Sequence, residues 1–342
     1  MQISTRRRYL RAGFPPRALM VTAVVTVAAT SGLAAASVSP ARAARTVRHP
    51  LPVPRSEVGG PLLASRGIVV RYPPRGTRRL PAVPASAYVV ADASTGAVLA
   101  AKDAHGLYPP ASTLKVLTAI TMLPRLKPYA NVLATKRAAS VEPNVVGLVP
   151  GRTYKVADLF HALLLISAND AAVALVQASG SFAKGIALMN AEAHHLQAYD
   201  VVARQPNGLP AAGQVVSAYD LALIARRALQ MPAFMTYDST LTATFGGTRF
   251  GPVHMVNENG LLTQYRGGIG GKIGWTLKAG ATYIGMARRN GTTLIVTILH
   301  ARPLTEITSA ERLLDWGFAA SRAHHQVGPV GMLVSPRRAA RD

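Results

Sequence analysis

Cysteine is absent from the 342-residue chain. That excludes disulfides and thiolate metal centres, and leaves an oxidising compartment tolerated but unused. Acids are scarce: 15 Asp and Glu stand against 38 Lys and Arg, for a formal net charge of +23. Six of those positive charges are arginines in residues 1–43, where no acid occurs, which leaves +17 on the rest. Outside a membrane such an excess attracts anionic cell-wall polymers and lipid headgroups without sequence readout, so these, and not nucleic acid, are the expected charged partners. A metal-binding histidine pattern is also missing: His194 and His195 are adjacent, fall on different helix faces, and no His-Glu-x-x-His occurs. The glycines near 267–274 lack the strand–loop–helix setting of a phosphate cradle. No metal and no cofactor is expected, and no internal repeat is found.

Long apolar runs are few, and the notable one is N-terminal. "ALMVTAVVTVAATSGLAAASV", Ala18 to Val38, follows Arg6, Arg7, Arg8, Arg11 and Arg17 and precedes Ala41-Arg42-Ala43. That order of charge, apolar stretch and small residues predicts a signal peptide over 1–43 and an extracytoplasmic protein, secreted or envelope-associated. "TRRRYLR" resembles the twin-arginine export pattern. The 21 weakly apolar residues would also just span a bilayer, which keeps an uncleaved anchor as the alternative. Residues 44–84, rich in Pro and Arg and without helical or strand period, predict an extended, mostly disordered linker. Residues 321–342 read as a basic tail.

From 85 to 320 the pattern is that of one domain. "AYVVAD" and "AVLAAK" flank "ASTG" and predict a hairpin. "ATYIGMARR" and "TTLIVTILH" meet at Asn290-Gly291, the strongest short hairpin signal in the chain. Helical periods occupy about 112–123, 156–166, 170–179, 182–197 and 217–230, and "SAERLLDWGFAA" predicts a closing amphipathic helix. Strands at both ends with helices between them predict an α+β fold, an antiparallel sheet assembled from distant parts of the chain.

"PPASTLKVLTAI", residues 109–120, sets Ser112 at the mouth of an apolar helix with Lys115 one turn on. Ser-x-x-Lys alone carries little weight, because the chain holds a second, Ser181/Lys184, where the serine reads as a plain helix N-cap. Context separates them. Only Ser112 is followed by "SAND", giving Ser167-x-Asn169, and then by "GGKIGWT", giving Lys272-x-Gly274. Each member has a chemical reason. The positive end of a helix dipole favours a developing alkoxide on Ser112. Residues i and i+3 share a helical face, so the Lys115 amine reaches the hydroxyl. Burial and the charge of Lys272 would lower the Lys115 pKa enough for it to accept a proton. Ser167 can relay a proton to a leaving group, and Asn169 can bind a substrate amide or hold Lys115. Gly274, with no side chain, would let a substrate backbone add to its strand. The backbone N–H groups of Ser112 and Trp275 are then natural oxyanion donors.

"PASTLKVLTA", "LLLISANDAAVAL", "IALMNAEAHHL", "NGLP" and "GGKIGWTLKAGATY" together resemble the serine D-alanyl-D-alanine carboxypeptidases, the low-molecular-weight penicillin-binding proteins of peptidase family S11. The resemblance runs from about Ala87 to Phe318. It implies an antiparallel β-sheet flanked by helices with an inserted helical cluster, as in the β-lactamase/transpeptidase-like folds. It also implies an acyl-enzyme on Ser112, formed from a peptidoglycan stem peptide with loss of the terminal D-alanine, and β-lactams as covalent inhibitors. The catalytic roles fall on Ser112, Lys115 and Ser167, and substrate binding on Asn169, Lys272, Gly274 and Trp275. Two positions depart from the family pattern. Ile273 stands where the family has a threonine that binds the substrate carboxylate. Arg302 and Arg312 are the only arginines near the end of the sheet, ahead of or within the last helix, where members place a second carboxylate ligand. These departures keep a weak or inactive wall-peptide-binding scaffold as the alternative. A class A β-lactamase would need a deacylating glutamate after the second motif, and none occurs from Ala193 to Asn257.

Overall fold

Asn290 and Gly291 both adopt the left-handed backbone that a two-residue hairpin turn requires, at φ 48° and 82°. They join two ten-residue strands at the centre of an antiparallel sheet. The computed structural model describes residues 56–73, 78–321 and 327–336, all within one unit, Val53–Asp342. The predicted signal peptide, residues 1–43, lies outside the described residues.

The first strands are β1 (Ile68–Val70), β2 (Ala85–Asp92) and β3 (Ala97–Lys102). A helical region follows: α1 (Leu114–Met122), α2 (Lys136–Ala139), α3 (Val156–Leu165), α4 (Asn169–Ala178), α5 (Phe182–His195), α6 (Ala218–Leu229) and α7 (Pro232–Asp238). Within it β4 (Asn131–Leu133) pairs with β5 (Thr153–Lys155). After it come the hairpin of β6 (Thr242–Thr248) and β7 (Gly251–Val256), and the short α8 (Leu261–Gln264). The chain then returns to the sheet as β8 (Gly268–Thr276), β9 (Gly280–Arg289) and β10 (Thr292–Ala301), and ends with α9 (Glu306–Ala320) and β11 (Gly331–Met332). The sheet order is β1-β3-β2-β10-β9-β8, with β11 also on β3. The expected α+β architecture is what forms, and the predicted helices match to within a few residues.

The sheet is covered on both faces, and strand alternation divides its side chains between two cores. Ala87, Val89, Ala91, Ile284, Met286, Ile295 and Leu299 face the helical region. Tyr88, Val90, Tyr283, Ala287, Leu294, Val296 and Ile298 face the side where Leu313, Leu314 and Trp316 of α9 pack. Burial on both faces is why "AYVVAD" and "TTLIVTILH" read as continuous apolar runs. Side-chain caps fix three helix starts: Thr135 Oγ1 accepts from Ala138 N (3.1 Å), Ser181 Oγ from Lys184 N (3.0 Å) and Ser217 Oγ from Asp220 N (3.1 Å). The second Ser-x-x-Lys is thus the plain cap it was read to be.

Two terminal expectations need correction. Residues 56–73, read as part of a disordered linker, form a helical turn at Pro61–Ala64 and strand β1, with Leu63 fully buried. The front of the basic tail supplies β11 and buries Val327, Val330 and Leu333. β1 pairs with Ala100–Lys102 and β11 with Ala97 and Val98, so together they cover the outer edge of β3. An unpaired edge strand exposes a row of backbone groups, and these two segments satisfy it. Strands of three and two residues are too short to show a period, which is why composition misread them.

Candidate active site

The Ser112 turn is built under constraint. Pro109 and Pro110 lead into a helical turn over Ala111–Thr113 that runs on into α1. Ala111 takes a left-handed φ of 46°, a conformation disfavoured for a residue with a Cβ. Two side-chain contacts hold it: Thr113 Oγ1 donates to the Pro110 carbonyl at 2.6 Å and Thr282 Oγ1 of β9 donates to the same oxygen at 2.9 Å; Thr118 Oγ1 of α1 donates to the Pro206 carbonyl at 2.6 Å and so ties the helix to the segment before Asn207. Gly208 closes against the turn so tightly that a Cβ there would fall 1.7 Å from the Ala111 carbonyl oxygen.

Lys115 is completely buried, and its Nζ donates to three acceptors: Ser112 Oγ (2.8 Å), Asn169 Oδ1 (2.7 Å) and the Asn207 carbonyl (2.8 Å). An ammonium has three hydrogens, and each has an acceptor. Burial first, then the nearby charge of Lys272, pushes the Lys115 pKa well below the ordinary lysine value. A lysine so placed can lose the proton facing Ser112 and then take up the hydroxyl hydrogen at the same 2.8 Å contact.

Ser167, on the left-handed bend between α3 and α4 (φ 60°), is buried and lines the cleft, and its Oγ has no hydrogen-bond partner among the described residues. Asn169 begins α4; its Nδ2 donates to the Glu142 carbonyl (2.8 Å) while its Oδ1 takes the lysine. Of the two roles read for Asn169, this structure places it on Lys115. Asp170 was not singled out by sequence reasoning. Its buried carboxylate accepts from the backbone N–H groups of Val146, Gly147 and Leu148, at 3.0, 2.8 and 3.0 Å, and so fixes the loop that forms one cleft wall. The acid next to Ser-x-Asn was the available signal.

Across the cleft runs β8, the sheet's other edge strand. Lys272 is buried, its Nζ donates to the Ile273 carbonyl (3.0 Å), and its pKa is lowered to about 8, chiefly by burial. Behind it lies Asp238, fully buried, accepting from Gly271 N at 2.7 Å, with burial raising its pKa to about 7. Gly274 has a second role beyond the one read for it. A Cβ there would lie 2.6 Å from Ser112 N, 3.0 Å from Thr113 N and 2.6 Å from Thr282 Oγ1. The missing side chain makes room for the nucleophile's own turn at the wall of the cleft. Trp275 lines the cleft with 58% of its surface exposed. Ile273 is half-buried, packs into the α9-side core and also reaches the cleft. Arg302 and Arg312 are exposed and do not line it.

The cleft, of about 530 Å³, thus carries Ser112, Ser167, Asn169, Gly274 and Trp275 on its walls, with both lysines buried behind. Sequence reasoning missed three acids on the same walls: Glu142, Glu258 and Glu306. Glu258 is the first residue beyond the glutamate-free stretch, and its charge opposes the lowering of both lysine pKa values. Elsewhere, ligand-type atoms of His105, Asp200 and Asp220 lie within 4.8 Å of one another. The ring is engaged by protein: Nδ1 is 2.6 Å from Asp200 Oδ2 and Nε2 is 3.0 Å from the Val58 carbonyl, a tie between the N-terminal segment and the helical region.

An activated serine beside a buried lysine, at the free edge of an antiparallel sheet, is the layout of a serine acyl-transfer enzyme. The chain belongs to the D-alanyl-D-alanine carboxypeptidase family S11, whose model matches residues 75–303. It is 38% identical over 252 residues to the D-alanyl-D-alanine carboxypeptidase DacB2 of Mycobacterium tuberculosis, covering 72% of this chain and 86% of that protein. A crystal structure of a D-alanyl-D-alanine carboxypeptidase from the same organism superposes with a TM-score of 0.71 at 36% identity, over 77% of this chain and 99% of that one. A variant of the Streptomyces K15 DD-transpeptidase gives a TM-score of 0.66 at 28% identity, over 70% of this chain and 99% of that one.

Proposed function

We propose that this protein is a serine-type D-Ala-D-Ala carboxypeptidase that acts on peptidoglycan stem peptides through an acyl-enzyme on Ser112. The observation that carries the reading is the buried Lys115 amine held at 2.8 Å from Ser112 Oγ. Neutral Lys115 takes the hydroxyl proton as Oγ attacks the penultimate D-Ala carbonyl carbon. The backbone N–H groups of Ser112 and Trp275 serve the developing oxyanion. Ser167, whose unpartnered Oγ lines the cleft, passes a proton to the departing amine. The C–N bond breaks, D-alanine leaves, and water hydrolyses the ester to restore Ser112. Asn169 holds Lys115, and Lys272 supplies positive charge behind the strand to which substrate adds. β-Lactams acylate the same oxygen. The working place is extracytoplasmic, reached through the N-terminal export signal, with the positive surface resting on anionic wall polymers.

Intact-mass spectrometry after penicillin treatment, with peptide mapping, tests this. One penicilloyl group should map to Ser112, vanish in Ser112→Ala and persist in Ser181→Ala. An adduct that survives Ser112→Ala refutes the assignment.

A further inference from the structure

The two N–H groups offered to the oxyanion belong to segments far apart in the chain. Ser112 N sits on the turn that leads into α1, and Trp275 N on the open edge strand β8. Such donors act by being held in place before charge develops, so one segment must be fixed against the other. The connection runs through Gly274 and Thr282, which face each other in the β8–β9 ladder. A Cβ on Gly274 would lie 2.6 Å from Ser112 N and 2.6 Å from Thr282 Oγ1, so the three groups converge. Thr282 is fully buried and does not line the cleft. Its hydroxyl has a single hydrogen. It donates to the Pro110 carbonyl of the nucleophile's turn at 2.9 Å and to the Gly274 carbonyl of β8 at 3.2 Å.

Each of those carbonyls governs more than itself. A trans peptide holds its C=O and N–H in one plane, pointing in opposite directions. The Gly274 carbonyl shares its peptide with Trp275 N. A carbonyl drawn toward Thr282 therefore turns the Trp275 N–H away from β9, to the open edge and the cleft. The Pro110 carbonyl precedes Ala111, whose left-handed φ of 46° sets the direction of the next N–H, that of Ser112. Thr113 Oγ1 also holds the Pro110 oxygen, at 2.6 Å, but from within the same turn. Thr282 holds it from the sheet.

We infer that Thr282 is a positioning residue for acyl transfer: its buried hydroxyl straps the nucleophile's turn to β8 and so sets the spacing and aim of the two oxyanion donors. This rests on the acyl-enzyme reading above and adds a residue to it. Thr282 touches neither the substrate nor the reacting atoms, and it carries no proton. Oxyanion contacts strengthen only as the tetrahedral intermediate forms, so loss of the strap acts on kcat and leaves KM nearly unchanged.

The test separates the hydroxyl from the rest of the side chain. Thr282→Val keeps the shape and removes the hydroxyl, whereas Thr282→Ser keeps the hydroxyl and removes the methyl. Thr282→Val should slow penicillin acylation, and kcat on diacetyl-Lys-D-Ala-D-Ala, by about ten- to a hundredfold, less than the loss of a donor outright. Thr282→Ser should stay within a few-fold of the native rate. A peptide boronic acid supplies a second readout. Ser112 Oγ bonds to its trigonal boron, the hydroxyl proton passes to Lys115, nothing leaves, and one boron-bound oxygen takes the place of the oxyanion. Its affinity should fall in Thr282→Val by the same factor as acylation. The ascending limb of the pH–rate profile should stay in place, because Lys115 keeps its three acceptors. Melting temperatures are taken alongside, and if Thr282→Val fails to fold, Thr282→Ala replaces it against Thr282→Ser. Native acylation in the folded variant without the hydroxyl overturns the inference and leaves the acyl-enzyme reading standing. So does a boronate affinity that does not follow acylation, a displaced ascending limb, or a Thr282→Ser as slow as Thr282→Val. A native protein whose Ser112 takes neither penicillin nor the boronate overturns the acyl-enzyme reading and the inference with it.

Discussion

The two edges of the central sheet are treated in opposite ways. At β3 the edge is closed by β1 and β11, which come from segments on either side of the main domain, and the closure is braced by the Tyr219 hydroxyl donating to the Met332 carbonyl (2.7 Å). At β8 no strand pairs with the outer edge among the described residues; that edge faces a cleft and the start of α1. An edge strand left open invites pairing with any extended chain. Closing one edge and leaving the other beside a nucleophile fits the proposal that substrate adds at the open edge. The contrast also separates stability from chemistry: the β3 edge should tolerate no loss of burial, and the β8 edge no change in shape next to Ser112.

The sharpest break should come at the chemical edge. Lys115→Ala removes the proposed base and should slow penicillin acylation by about 10²–10⁴-fold, with the circular dichroism spectrum retained; normal labelling would exclude the base role. Leu63→Ala acts at the closed edge. It empties a fully buried position in the N-terminal segment and should destabilise by about 2–5 kcal/mol, while the folded protein still labels at the native rate. Unchanged denaturant stability would show that the segment is not part of the cooperative unit. Gly274→Ala returns to the open edge. Its methyl would press on Ser112 N and should cut acylation at least tenfold, with a loss of stability of about 1–3 kcal/mol from overpacking; normal acylation would mean that the turn yields freely.

Lys272 sharpens the comparison through pH. Acylation requires neutral Lys115, so the native rate should rise with pH as Lys115 deprotonates. It should fall again near pH 8 as Lys272 loses its charge, if that charge assists the reaction. Lys272→Met removes the like charge that helps depress Lys115. The Lys115 pKa then rises, the ascending limb moves to higher pH, and the descending limb near 8 disappears. Stopped-flow acylation across pH 5–10 reads both limbs, and an unshifted ascending limb would refute the coupling. The smallest effect is expected at Ile273, which sits between cleft and core. Ile273→Thr should raise kcat/KM on diacetyl-Lys-D-Ala-D-Ala several-fold and change that on its C-terminal amide little, at a modest cost in melting temperature from a hydroxyl placed against the core. No gain with the fold intact would assign Ile273 to packing alone.

Much of the catalytic constellation was legible because its members carry side-chain signatures in chain order. Ser112, Lys115, Ser167, Asn169 and Lys272 belong to that group, and the structure gathers them around one cleft. What escaped notice lacked such a signature. The Asn207 carbonyl that completes the Lys115 coordination is a backbone group, which every residue possesses. Asp170 acts through the fold of a loop 22 to 24 residues away in sequence. Gly274 was recognised, but its purpose depends on a neighbour more than 160 positions distant.

The sequence by itself determined the elements and the reactive groups. Short apolar runs and helical periodicity specify strands and helices because burial acts on local patterns, Asn290-Gly291 specifies its turn by backbone sterics, and the i, i+3 spacing joins Ser112 to Lys115 within one helical turn. Only the tertiary structure decided which edge of the sheet is sealed and which is open. It also buried Lys115 beside Lys272, so that the amine can be neutral, and brought Glu142, Glu258 and Glu306 to the walls of one cleft. Those outcomes depend on desolvation and on charges from segments far apart in the chain, and neither quantity exists until the chain has folded.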